Sequence, residues 1–344
     1  MIICVIMLHA AMTYMAYVPE WWYVIDSNKS LNFTMLVVFL DAFPMSVLFY
    51  LSGYFAVPSL NKYKFKNFII AKFKRIFIPW LLGMIFAAPF FAYATFKAFN
   101  LPDPGFFSFI KNYFLNPQPH GGFHQQGHYW FLNVLFAMLI IYALAAKLIN
   151  LINIKPLHVF IITFIFYFIS AICLMPPDDW LNIYCFIYFQ PARIIGYIAL
   201  FILGVRAYNQ DLKFNFIAYF ALAVISGVAL LARKFTPALQ FNQNINLFFD
   251  AVFYSLFSVS FTLSLINLFA KIKIAPKFLI NLASASYSIY WQHQIILMPL
   301  LYLIRPLSLD IFIKWLIGVT LTVVIACLVN KFIFKRLLLI REIF

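Results

Sequence analysis

The sequence predicts an all-α integral membrane protein, a polytopic bundle of about ten transmembrane helices with both termini cytoplasmic, forming one domain over residues 1–344. Three observations predict it: 65% of the residues are hydrophobic, only 10% are charged, and the apolar residues fall in runs long enough to cross a bilayer. A soluble domain carries about 25% charged residues, because it must cover itself with groups that water solvates. With a mean hydropathy of +0.93, this chain has no aqueous surface to offer. Its solvent is lipid.

In lipid every backbone N–H and C=O must be paired inside its own segment, which leaves helices or a closed barrel. Barrel strands alternate apolar and polar residues over about ten positions, and runs such as 159–172 do not alternate. Taken in order, the apolar runs are 1–17, 35–57, 76–97, 129–150, 156–175, 181–205, 214–232, 246–270, 278–303 and 310–330. The first has no Lys or Arg before Lys29, so it lacks the basic lead-in of a secretory signal and reads as a span. Charged, Pro and polar clusters separate the others, and each run is about the 20 residues that a bilayer requires.

Ten spans place both termini on one side, and the Lys/Arg distribution says which. One set of loops holds Lys62, Lys64, Lys66, Lys72, Lys74, Arg75, Lys147, Lys155, Arg206, Lys213, Lys271, Lys273, Lys277, Lys331, Lys335, Arg336 and Arg341, 17 cations in all. The opposite set holds seven: Lys29, Lys97, Lys111, Arg233, Lys234, Arg305 and Lys314. The opposite set also carries most acids, among them Glu20, Asp26, Asp103, Asp178, Asp179 and Asp310. The net charge of +15 is therefore a topology signal, and nucleic acid is not the partner. The longest loop, 98–128, is Pro- and Gly-rich and lies outside, where it is either a lid or an unstructured connection. The cysteines at 4, 173, 185 and 327 show no metal or redox spacing.

Ionisable groups inside spans cost a few kcal/mol each and mark function. They are His9, Asp41, His158, Arg193, Asp250 and His293, with His128 at a helix mouth. The topology puts His9, Asp41, His128, Asp250 and His293 in the outer half of the membrane layer. His158, beside Pro156, reads as packing. His120, His124 and His128 recur every fourth residue, but Gly121, Gly122 and Gly127 interrupt them and no carboxylate is near, so no metal site is expected. At the inner face Lys72, Lys74 and Arg75 precede Pro79; such a cluster suits either the phosphates of an anionic cofactor or anionic lipid headgroups.

At these residues the chain resembles the acyltransferase-3 family of bacterial membrane acyltransferases. Leu8-His9-Ala10 is similar to the family's first-helix histidine, and Phe43-Pro44-Met45 through Ser52-Gly53-Tyr54-Phe55 to its "P-x-F-F-x-L-S-G-F" helix. Lys74-Arg75-Ile76-Phe77-Ile78-Pro79 resembles "R-R-x-x-x-P", and Gly127-His128-Tyr129-Trp130-Phe131-Leu132 resembles "G-H-L-W-F-L". Phe201-Ile202-Leu203-Gly204 and Ser286-Tyr287-Ser288-Ile289-Tyr290-Trp291-Gln292-His293 resemble "F-x-x-G" and "S-Y-x-I-Y-L-x-H". Six motifs in the family's order cover nearly the whole chain. Two departures stand out. The family's Arg-rich lead-in is missing before the first helix, so either the start lies upstream or part of the donor site is absent. Leu135 stands where some members have Glu, which resembles the branch that includes glucan succinyltransferases and surface-glycan O-acetyltransferases.

The resemblance implies a multi-pass enzyme of the bacterial inner membrane that modifies polysaccharides. It would move an acetyl or succinyl group from a cytoplasmic donor, acyl-CoA as cosubstrate with no bound cofactor, to a carbohydrate hydroxyl at the external face, with membrane lipids as its other partners. His9 would be base or acyl carrier, His293 and His128 would assist, and Lys72, Lys74 and Arg75 would hold the CoA phosphates. The competing expectation is a transporter or flippase, with Asp41, Asp250 and Arg193 as relay groups.

Overall fold

The computed structural model describes residues 1–19, 22–98, 102–115, 126–183, 187–272 and 274–336. Seven of its helical stretches are long and apolar enough to cross a bilayer: 31–94, 127–149, 156–173, 191–210, 216–235, 243–270 and 311–334. The chain is a multi-pass, all-α membrane protein. The later expected runs coincide within a few residues with α7 (Trp130–Ile149), α8 (Pro156–Cys173), α10 (Phe216–Phe235), α11 (Gln243–Ala270), α12 (Lys277–Ile304) and α13 (Ile311–Val329). Their starts have local causes: Pro156 sits in the first turn of α8, while Asn215, Asn242 and Asp310 accept backbone N–H groups as N-caps.

The first half departs from the expectation in its helix boundaries. Helix α1 (Ile2–Met12) covers 11 residues and not the expected 1–17. The following segment folds back instead, burying Tyr14, Met15, Trp22, Tyr23 and Val24, with Asp26 N–H on Thr13 O at 3.1 Å and Ser30 N–H on Tyr14 O at 2.9 Å. The expected run 35–57 is split between α2 (Leu31–Asp41) and α3 (Pro44–Lys72), because Pro44 cannot continue the preceding helix. The stretch 31–94 has 64 residues. As one straight helix it would measure roughly 96 Å at 1.5 Å per residue, about three hydrocarbon cores. It bends at Ala42–Phe43 and again at Lys64, whose φ of 57° and ψ of 172° lie outside the helical region. Beyond Lys72 it continues through α4 (Ile78–Leu82) and α5 (Ala88–Ala98), each preceded by a five-residue π turn.

The run expected over 181–205 is also corrected. Strands β1 (Leu181–Ile183) and β2 (Ile187–Phe189) pair antiparallel, Leu181 opposite Phe189, and α9 (Pro191–Gln210) starts only at its proline. Aromatic and β-branched residues favour strand as much as membrane helix, and an apolar run by itself does not separate the two. The loop 98–128 contains α6 (Phe106–Leu115), whose Phe109 and Tyr113 are buried against α5 with Ala92. His120, His124 and Cys185 lie outside the described residues. Cys4, Cys173 and Cys327 are free thiols.

Packing follows small residues, as it must where lipid removes the hydrophobic drive between helices. Helices α3 and α9 meet at Gly53 and Gly204: a Cβ on Gly53 would lie 2.0 Å from Phe201 O, and one on Gly204 would lie 2.1 Å from Tyr50 O. The two motif glycines are the contact between backbones. Lys314 and Asp26, expected as external loop charges, are instead a buried pair at 2.9 Å, 2% and 0% exposed, that ties segment 13–30 to α13.

Candidate active site

Three histidines from three distant parts of the chain meet. His9 Nδ1 on α1 lies 2.9 Å from His293 Nε2 on α12, with ring planes 4° apart and centroids at 5.1 Å. His128, in the turn Gly127–Tyr129 ahead of α7, lies 4.3 Å from His293 between ring centroids. Backbone carbonyls anchor two of the rings: His293 Nδ1 is 2.6 Å from Tyr290 O, and His128 Nε2 is 3.2 Å from Trp291 O. Between them sits Gln294, with Oε1 2.9 Å from His128 Nδ1 and Nε2 3.2 Å from His9 Nδ1. His293 and His128 are buried, while His9 is partly exposed.

His9 and His128 border a cavity of about 280 Å³ that runs to Asp41, Asp178 and Arg193. Trp22 and Tyr23 of the folded-back segment line it, as do Trp130, Trp180, Tyr188 and Tyr197. Arg193 is 5% exposed and holds both Asp41, through Oδ2, and Asp178, at 2.6 Å through Oδ1. Those carboxylates remain 41% and 68% exposed. Trp180 stacks on Tyr188 with centroids 4.7 Å apart and planes at 9°. Lys234 also borders the cavity, so its two carboxylates are balanced by two cations.

Sequence-selected residues thus divide. His9, His128, His293, Asp41 and Arg193 come together. Asp250 does not: Arg233 Nε donates to it at 2.6 Å and Arg233 Nη1 to Asn246 at 3.0 Å, a clamp between α10 and α11 apart from the cavity lining. Lys72, Lys74 and Arg75 border no part of the cavity either. Lys74 and Arg75 are exposed on the π turn Phe73–Phe77. That turn is stapled to α12: Tyr287 O–H donates to Arg75 O, and Trp291 Nε1–H donates to Pro79 O at 2.8 Å. Residues four apart on α12 thus meet carbonyls four apart on the other segment. His158 Nδ1 accepts the Lys155 N–H at 3.2 Å, a cap at the start of α8.

Gln294, Asp178, Trp180, Tyr188 and Lys234 were not singled out from sequence. Gln294 had a signal: Gln292-His293-Gln294 is three polar residues in succession inside an apolar helix. The others sit at helix ends and in a hairpin, where polar and aromatic residues are ordinary.

A polytopic helical bundle with converging histidines at a polar, aromatic-lined cavity defines a membrane-embedded enzyme rather than a scaffold. The sequence pattern of the acyltransferase-3 family, described as an acyltransferase domain, matches residues 1–331, and the chain belongs to that family. It is an acyltransferase. No curated protein and no solved structure matches it.

Proposed function

We propose that this protein is an O-acyltransferase of the bacterial inner membrane, carrying an acetyl or succinyl group from a cytoplasmic acyl-CoA to a hydroxyl of a cell-envelope carbohydrate. The observation that carries the reading is the contact of His9 with His293 at the edge of the cavity. A neutral imidazole suits removal of a hydroxyl proton near pH 7. The hydroxyl oxygen attacks the thioester carbonyl while its proton passes to His9. The tetrahedral intermediate then expels the thiolate, breaking the C–S bond, and the proton passes on to sulfur.

The cavity supports a sugar as acceptor. Aromatic rings offer flat apolar faces, and Asp41 and Asp178 each engage Arg193 through one oxygen, so the other can accept from a ligand hydroxyl. Its balanced charges suit a neutral polyhydroxylated molecule better than an ion. Lys74 and Arg75, spaced as in the family motif, together with Lys72 just before them, would hold the donor's phosphates at the cytoplasmic face. The transporter expectation loses its footing, since the family is one of enzymes and its relay candidates Asp41, Asp250 and Arg193 are held in ion pairs.

The test is His9→Gln, which keeps hydrogen bonding and removes the base. Surface-glycan acylation, read by mass spectrometry in cells with normal protein levels, should fall about 10² to 10⁴-fold. Wild-type acylation by that variant would refute the reading.

A further inference from the structure

We infer that Gln294 is a positioning residue that holds the proton of His9 on Nδ1 and so keeps Nε2 as a lone pair for the substrate; the inference rests on the reading of His9 as base. A carbonyl oxygen only accepts, so His293 Nδ1 and His128 Nε2 must donate to Tyr290 O and Trp291 O. In neutral rings the remaining nitrogens, His293 Nε2 and His128 Nδ1, are acceptors. His293 Nε2 faces His9 Nδ1 at 2.9 Å, so the His9 proton belongs on Nδ1.

His128 Nδ1 then requires a donor, and its neighbour is the Gln294 amide. The amide nitrogen must turn toward His128, which brings the oxygen toward His9 Nδ1; contacts of 2.9 and 3.2 Å accommodate either end of the amide. The opposite orientation gives His128 a second proton. It also makes the amide nitrogen donate to His9 Nδ1, which obliges His293 to donate from Nε2 and become doubly protonated too. Two imidazolium rings with centroids 4.3 Å apart, neither hydrogen-bonded to a carboxylate among the described residues, would repel strongly in a lipid-embedded interior.

Two helix carbonyls thus set two tautomers, those set the amide, and the amide with His293 gives the His9 Nδ1–H two acceptors. When Nε2 takes the substrate proton, the same two acceptors stabilise the His9 imidazolium. Gly127 leaves room for the amide: its φ is +53°, and a Cβ there would lie 2.9 Å from Gln294 Oε1.

The experiment uses the full chain in lipid nanodiscs, with ¹⁵N-histidine NMR beside steady-state kinetics, the His9 signal being identified by its loss in His9→Gln. Wild-type protein should show His9 protonated at Nδ1 only. Gln294→Met should mix the His9 tautomers and lower kcat about 10 to 100-fold, with donor and acceptor KM within about twofold. Gln294→Glu still accepts from the His9 Nδ1–H, while its other oxygen draws a second proton onto His128 Nδ1, the pair being carboxylate and imidazolium. It should retain the single His9 tautomer and most of kcat, with the acid limb of the pH profile moved upward. The titratable groups facing this position are His9, His128, His293 and Tyr290, Tyr23 from segment 13–30, and, farther along the cavity, Asp41, Asp178, Arg193 and Lys234. A Gln294→Met protein with wild-type kcat and an unmixed His9 tautomer would overturn the inference. So would Gln294→Glu that folds yet is as inactive as Gln294→Met. A His9→Gln protein that remains active, beside the expected tautomer change in Gln294→Met, would sink the base reading and leave the positioning role standing.

Discussion

At the scale of single residues, the histidines show how a membrane interior makes polar groups informative. His9 interrupts the run Cys4-Val5-Ile6-Met7-Leu8, and no lipid-facing reason exists for a ring there. Its partner lies 284 residues away and could not be read from spacing. His158 looks equally exceptional along the sequence, yet it only caps α8, so His158→Ala should acylate at close to the wild-type rate. Arg75 tests the donor side. Its backbone is held by Tyr287 while the side chain stays exposed, so Arg75→Ala removes the guanidinium without disturbing the staple. If it holds a donor phosphate, the donor KM should rise by an amount equivalent to about 1.5–3 kcal/mol, with the acceptor KM unchanged. An unchanged donor KM in purified protein would reassign the cluster to lipid headgroups.

Elements explain motifs that carry no chemistry. Gly53 and Gly204 belong to two of the motif segments, and the structure shows them as mutual contacts of α3 and α9. The atom each would strike is a backbone oxygen, which has no rotamer to move. Gly53→Ala should therefore cost more than the 1–3 kcal/mol of ordinary overpacking, measured as a fall in thermal unfolding midpoint in detergent. Gly318→Ala is the contrast: its Cβ would meet Leu301 Cδ2 at 3.0 Å, a side-chain end that can turn away, so a small change is expected. Among the described residues, the buried pair of Asp26 with Lys314 ties segment 13–30 to α13. Lys314→Met leaves Asp26 buried without its ammonium, and loss of about 3–5 kcal/mol is expected. Adding Asp26→Asn should recover part of it, because removing both charges is cheaper than stranding one. A double variant no more stable than the single one would show that the pair does not hold the segment.

For the whole molecule, we propose from the cation distribution that Lys62–Lys74 and Lys335 face the cytoplasm and the cavity faces the exterior. Cysteines introduced at Phe107, which is 87% exposed on α6, should react with a membrane-impermeant reagent added outside intact cells. Cysteines at Lys62 or Lys335 should react only after the cells are opened. Outside labelling at Lys335 would reverse the assignment of donor and acceptor faces, whatever the fate of the histidines.

Membrane class, the positions of most helices in the second half and the family were legible in the chain itself. Each depends on local composition: lipid demands an apolar run wherever a helix crosses, and that demand is written at the crossing. The short α1, the break at Pro44, the bend at Lys64 and the hairpin before Pro191 were not, because an apolar run does not say whether its backbone turns back, bends or pairs. Within the site, composition pointed to His9, His128, His293, Asp41 and Arg193 as groups out of place in lipid. It could not separate them from Asp250, which Arg233 neutralises, or reveal that Lys314 and Asp26 neutralise each other. A charge is a property of one residue, whereas its neutralisation is a property of two that the fold brings together. Only the tertiary structure decides that, through contacts between helices far apart in the chain.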